Sequence, residues 1–378
     1  MKPVVFGLIG LVAISIAPLQ ARDPALWPFS AESPWNQSIG SSAQYSTIVS
    51  NGFSKDSGGV VNSKNWSHPI VIGTTSDPLR SVYKVGSATP VATLRVPESA
   101  TPDVKSDGNL HFIDDAHTYV VETWECVKRP DGNWEGTVAI KNDLRGPGVF
   151  DKYGGARAYG GSAIGGIIRK GELANGIPHA LAVGVDGPSF NRNAPGGKTF
   201  VWPASSADAN SATIYGSTGN LYMGSLLAIP PEVDISKIGV GTSGPAFEMA
   251  KALQDYGCYI VDRAGGNLVF YAETGAQDEV PVDIQTKVAL LVLHLKTVTN
   301  NSPTSVGGGG VHRRPLAPAF DGTAIFHYQP RLGKSQTSKP QNFNADGRQF
   351  PNHASSRING FESFWSYKRT LPLQDLAE

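Results

Sequence analysis

Only two cysteines and three methionines occur in the 378 residues, and neither sign of charge predominates: 32 lysines and arginines stand against 32 aspartates and glutamates. So few cysteines exclude a cysteine-built zinc module or a disulfide-dense scaffold. The absence of net charge argues against nucleic acid or an anionic membrane as a partner. The chain has no phosphate-binding P-loop, no Gly-x-Ser-x-Gly elbow and no His-Glu-x-x-His pair. The commonest nucleotide-binding, serine-hydrolase and zinc-protease signatures are therefore missing. No calcium-loop spacing is found either, so neither metal nor cofactor is expected. Long apolar runs are absent except at the start. Val4 to Ala17 is apolar apart from Gly7, Gly10 and Ser15, and is too short to span a bilayer as a helix. With Lys2 before it, Pro18 behind it and Ala21 as a small residue at the cleavage point, residues 1–21 read as a secretion signal. The remainder carries 31 basic and 32 acidic side chains, a formal charge of −1. A secreted or periplasmic protein, most simply a monomer, is expected.

What the chain has in abundance is glycine and proline, 43 and 27 residues, with much serine and asparagine. That mixture suits short strands and tight turns better than long surface helices. The expected fold is mainly β, a β-sandwich of jelly-roll type with one or two covering helices. Residues 22–68 read as an irregular but ordered arm, residues 69–299 as the sandwich, and residues 300–378 as a linker and poorly ordered tail. Strands are predicted at Pro69–Gly73, Ser81–Val85, Ala92–Val96, Leu110–Ile113, Thr118–Cys126, Gly136–Ile140, Ile177–Val185, Thr199–Trp202, Cys258–Asp262 and Leu268–Tyr271. Asp131-Gly132 marks a hairpin turn. Ala246, Met249, Ala250, Leu253 and Tyr256 recur at helical spacing between a Thr242 or Ser243 cap and Gly257, and a second helix is predicted over Asp283–Val298. The stretch from Gly146 to Gly166 holds eight glycines. It reads as a long specialised loop, the kind that carries function.

Candidate chemistry comes from strand alternation. In Thr118–Cys126, Glu122 shares a face with Val120, Trp124 and Cys126; in Cys258–Asp262, Asp262 shares a face with Cys258 and Ile260. A Cys126–Cys258 disulfide is expected in an oxidising compartment. If those strands run antiparallel with the cysteines opposed, Glu122 and Asp262 face each other, roughly 5 Å apart between Cβ atoms. Two carboxylates so placed divide into an acid and a base, the arrangement that glycoside hydrolysis uses. His179 is a candidate base on a thin strand face, with Glu172 and Arg169 close in sequence. Asp107 and Asp208 are loop acids, either turn formers or substrate contacts. Trp124 and Tyr256 offer stacking surfaces for sugar rings.

Ser33-Pro34-Trp35-Asn36, Ser106-Asp107-Gly108, Gly176-Ile177-Pro178-His179-Ala180-Leu181 and Ala252 to Gly257 running into Val261-Asp262 form a set. With these segments, residues 25–275 resemble a family of secreted bacterial and fungal β-rich proteins. That family has no firmly assigned activity, so the resemblance transfers no catalytic residue. It implies a secreted, β-rich protein similar in fold class to sandwich-fold polysaccharide-degrading enzymes. The expected function is polysaccharide degradation by a glycoside hydrolase. The alternatives are a polysaccharide lyase, with His179 or Tyr256 removing the proton α to a uronate carboxylate near Arg169 or Asp107, and a non-catalytic carbohydrate-binding protein.

Overall fold

The computed structural model describes residues 21–266 and 268–321. Residues 1–20 of the expected signal segment and the tail beyond residue 321 fall outside the described residues. Among the described residues 25% are in strands and 14% in helices, so the protein is mainly β. Thirteen strands run in chain order: β1 Tyr45–Thr47, β2 Val60–Asn62, β3 Ile70–Ile72, β4 Leu79–Lys84, β5 Ala92–Arg95, β6 Leu110–Ile113, β7 Tyr119–Lys128, β8 Trp134–Asp143, β9 Leu181–Val185, β10 Leu226–Ala228, β11 Cys258–Arg263, β12 Val269–Tyr271 and β13 Lys296–Val298. They form two mixed sheets in a sandwich-like arrangement, ordered β3-β6-β7-β8-β4-β5 and β1-β13-β10-β11-β9-β12-β2. The β9–β11, β2–β12, β3–β6 and β4–β8 pairs are parallel. A parallel pair needs a long crossover, and the irregular segments between strands supply it.

The seven-stranded sheet is covered on both faces: every residue of β9, and Cys258 to Val261 of β11, is buried. Four α-helices are present among the described residues, α1 Glu172–Asn175, α2 Ser211–Ile214, α3 Pro245–Asp255 and α4 Ile284–Val292. The predicted apolar face of α3 enters the core through Ala246, Met249, Ala250 and Leu253. Its cap is Gly244, with no side-chain hydrogen bond, rather than Thr242 or Ser243. The second helix is shorter than predicted. Asp283 is its cap and the chain leaves the helix at Leu293, because Lys296–Val298 is needed as β13 beside β10 and β1.

The arm is more than a wrapping. It contributes both edge strands of the seven-stranded sheet, and its Trp35 is buried edge-on against Tyr159 and Tyr259, at 6.1 and 5.4 Å between ring centroids. Trp35 also fixes the end of the glycine-rich stretch, since a Cβ on Gly165 would lie 2.6 Å from the indole Cε2. Residues 300–321 are not a linker. Gly307 to Gly310 all adopt positive φ, which lets their backbone lie flush on the arm, with Gly40 and Ser42 donating amides to the Gly307 and Gly309 carbonyls. Arg314 then pairs with Asp255 at 2.7 Å. Thr199–Trp202 is not a strand; its only pairing is a bridge from Phe200 to Met223.

The expected disulfide is absent. Cys126 and Cys258 are both buried free thiols, one in each sheet. The strand that should pair with β7 does not: β11 is flanked by β9 and β10. Nor does Cys126 lie on the Glu122 face. Glu125 takes φ +52°, which turns the strand over, so Cys126 packs with Val121, Trp134 and Ala139 while Trp124 packs with Val138 on the other side. Burial pushes the Cys126 thiol up to about 12 and raises that of Cys258 as well. Thiolate is the reactive form. Both thiols are therefore expected to react with a disulfide reagent only after denaturation, and a reductant should leave the unfolding midpoint unchanged. Failure to detect two thiols in the denatured, unreduced protein would contradict this.

Candidate functional site

The predicted acid Glu122 sits in β7 of the six-stranded sheet, wholly buried. Its carboxylate is occupied. Oε2 accepts the Ala156 amide at 3.0 Å and the Ala163 amide at 2.9 Å, and Oε1 accepts the Ser162 hydroxyl. Burial raises its pKa, while these donors and Asn142 pull it back. Glu122 thus pins the glycine-rich loop at Ala156 and again at Ser162 and Ala163. Around those points the chain folds on itself, with Gly154 and Gly155 amides donating to the Gly160 carbonyl, and the Tyr159 amide reaching the Val261 carbonyl of β11. The product of this loop is the position of Arg157.

The Arg157 guanidinium, 4% exposed, is the hub of the inter-sheet seam. It donates to His68 Nε2, lies 3.5 Å from Asp262 Oδ2 and stands 3.8 Å from the Tyr271 ring centroid. His68 Nδ1 is 2.8 Å from His111 Nε2, with the two rings stacked at 5.1 Å. His111 is the cross-strand partner of Glu122. The geometry of β11 and β12 explains how two further groups arrive there. A bulge in β11 places Val261 and Asp262 against a single residue of β9, Gly184. Bulges of this kind re-aim side chains. Gly184 also makes room for the Tyr271 hydroxyl, because a Cβ there would lie 2.5 Å from it. Burial raises the Tyr271 pKa, reinforced by Asp262, and Asp107 acts in the same direction. Tyr271 is therefore a phenol, a proton donor. Asp262 and Asp107 are half-buried, so these are the members of the cluster that meet solvent.

Asp262 and Glu122 both reach this loop, but not as an opposed pair. They belong to different sheets, one holding Arg157 and the other the Ala156 and Ala163 amides. The antiparallel geometry expected for them does not exist.

A second polar cluster adjoins the first. Arg169 pairs with Glu273 at 2.9 Å, two residues beyond Tyr271, and its amide donates to Glu172 Oε2. His179 is in a bend before β9 rather than on the strand. Its Nδ1 donates to the Ala180 carbonyl, and Nε2 faces Glu172 Oε1 at 3.0 Å. Burial lowers the imidazole pKa, but the Glu172 charge and hydrogen bond with the Ala180 carbonyl outweigh it, leaving the pKa raised. Both His179 nitrogens are thus committed, Nδ1 to the Ala180 carbonyl and Nε2 to the Glu172 carboxylate, which leaves no ring nitrogen facing a substrate. Arg169 and His179 line a small cavity walled by Trp27, Phe29, Trp35 and Ile167.

The other sequence candidates scatter. Asp208 is buried and accepts the Tyr215 hydroxyl at 2.6 Å. Tyr256 is a core residue whose hydroxyl is pushed by burial up to about 12. Trp124 is half-buried against Val138, Ala156 and Ala163, on the flank of the loop. Asp107, on the turn whose carbonyl accepts the Glu125 amide, reaches the Tyr271 side of the seam. Sequence reasoning missed His68, His111, Arg157 and Tyr271. A detectable signal existed: Leu110–Ile113 has a single polar residue in an apolar strand, and Arg157 is the one arginine within the glycine-rich loop.

No family model, curated protein or solved structure matches the chain.

Proposed function

We propose that the protein is an exported enzyme that cleaves uronate-containing polysaccharide by β-elimination at the Arg157–Asp262–Tyr271 cluster. One observation carries this reading: a buried guanidinium, a half-buried carboxylate and a neutral phenol meet at one point, whereas the second carboxylate that hydrolysis would require, Glu122, is sealed and fully hydrogen-bonded. Elimination needs a cation to stabilise charge developing on the uronate carboxylate, a base for the adjacent C5 proton and an acid for the departing glycosidic oxygen. Arg157 is the cation. A substrate carboxylate displaces Asp262 from the guanidinium, a contact of 3.5 Å, and the released Asp262 takes the proton. The C4–O bond breaks, the C4–C5 double bond forms, and Tyr271 protonates the leaving oxygen. Export is supported by the apolar run at Val4 to Ala17, and the near-neutral charge leaves local recognition of the polyanion to Arg157.

The test is incubation of the purified protein with neutral and uronate-containing polysaccharides. The expected result is new reducing ends together with the ultraviolet absorbance of an unsaturated uronate, on uronate polymers alone. Reducing ends without that absorbance would replace elimination with hydrolysis, and binding without cleavage would make the protein a carbohydrate-binding module.

A further inference from the structure

Arginine is a donor at every nitrogen and accepts nothing. The contact from Arg157 to His68 Nε2 therefore fixes that nitrogen as an acceptor. The His68 proton is then on Nδ1, which donates to His111 Nε2 at 2.8 Å. His111 in turn carries its proton on Nδ1, a buried atom with no hydrogen-bond partner. The chain runs in one direction, and every lone pair in it is used. A proton arriving at His68 Nε2 would set N–H against N–H beside a guanidinium. A proton arriving at His111 Nε2 would set it against the His68 Nδ1–H. The first event breaks the bond that ties the loop bearing Arg157 to His68, and the second breaks the bond that ties His68, and through it Arg157, to β6.

The nearby carboxylates among the described residues are committed elsewhere. Asp262 is on Arg157, Glu122 on Ala156, Ser162 and Ala163, and Glu273 on Arg169. Tyr271, edge-on to His68 at 5.5 Å, is a neutral phenol, and Asp107 acts on it. Arg157 faces both rings and Arg169 adds to the positive field at His111. We propose that His68 and His111 form an acid-sensitive latch, which releases the Arg157 loop from the seam between the sheets when either ring takes up a proton.

Burial, Arg157 and the neighbouring ring hold His68 well below its ordinary value, and burial with the two arginines lowers His111 to about 3. In an opened loop both rings regain an ordinary pKa of about 6.5. The opened state then binds more protons below that pH, so opening becomes easier as the pH falls through the window from about 6.5 to about 3. The latch is independent of the functional reading and would operate even if the chain cleaved nothing.

Hydrogen–deuterium exchange of residues 154–163 in the full chain, corrected for intrinsic rates, tests it. Below about pH 6.5 the opening equilibrium should rise about ten-fold per pH unit for one proton, and up to about a hundred-fold for two. A His111→Gln variant, which keeps an acceptor for His68 but cannot titrate, should show a shallower dependence. If that variant does not fold, nitrogen NMR of the native imidazoles decides: both Nε2 atoms should be unprotonated and unchanged at pH 5 while the loop stays closed. A ring that titrates near its ordinary pKa with the loop still protected, or loop protection indifferent to pH, would overturn the latch.

Discussion

Replacing Glu122 with alanine should lower the unfolding midpoint by about 10 °C, the effect of a few kcal/mol in a domain of this size. The reason is orphaned donors. The Ala156 and Ala163 amides and the Ser162 hydroxyl all end on this one buried carboxylate. Leaving a buried amide unsatisfied costs about 1–3 kcal/mol, so the two amides alone amount to about 2–6 kcal/mol. Set against a total stability of about 5–15 kcal/mol, that is a large fraction. Glutamine at the same position can keep its one oxygen on both amides and turn its NH2 group toward the Ser162 hydroxyl, which can accept, so it should recover more than half of the loss. Calorimetry on the purified variants measures both. An alanine variant melting with the wild type would show that the loop is held by other contacts and that Glu122 is not its anchor.

Arg157→Ala should reduce kcat/KM on a polyuronate by about 10²–10³-fold, the usual consequence of deleting one preorganised group that stabilises developing charge. Arg157→Lys should recover only a small part. An ammonium lacks the planar fork that can meet a carboxylate and His68 together. Arg157 is buried and holds both Asp262 and His68, so its removal also costs stability. The comparison must therefore be made well below the unfolding midpoint, with circular dichroism showing the variant folded. Retention of activity within about ten-fold by the folded alanine variant would remove Arg157 from the chemistry, given the magnitude expected for such a group.

Strand-by-strand patterning carried much of the fold. Leu110–Ile113 has the predicted bounds, β7, β8 and α3 are within a few residues of them, and the Asp131-Gly132 hairpin forms with Gly132 at φ +81°. These elements declare themselves locally, through alternation, helical spacing and turn chemistry. Short strands such as Tyr45–Thr47 and Val60–Asn62 do not, since they exist only because a neighbouring strand offers an edge.

The site was less legible, for reasons that are physical. An opposed Glu122–Asp262 pair requires unbroken alternation and a particular neighbour for each strand. Glu125 at φ +52° breaks the first condition, and the parallel β9–β11 pairing breaks the second. A positive φ at a glutamate has no sequence signature, and strand order depends on contacts remote in sequence. The loop from Gly146 to Gly166 was recognisable as specialised, but which of its residues mattered was not. Arg157 gains meaning only when Glu122 closes the loop and His68, Asp262 and Tyr271 arrive from three other segments. His179, conspicuous in Gly-Ile-Pro-His-Ala-Leu, turns out to be committed to Glu172 and the Ala180 carbonyl.

Cleavage of a polyuronate in water enriched in heavy oxygen, followed by mass spectrometry of the new chain ends, bears most directly on the chemistry assigned to Arg157, Asp262 and Tyr271. Elimination draws no atom from solvent oxygen, so products quenched before the anomeric hydroxyl exchanges with water should be unlabelled, and each new non-reducing end unsaturated. Incorporation of the heavy isotope at the cleaved bond would mean that water is the nucleophile, and the elimination site described for this seam would be wrong.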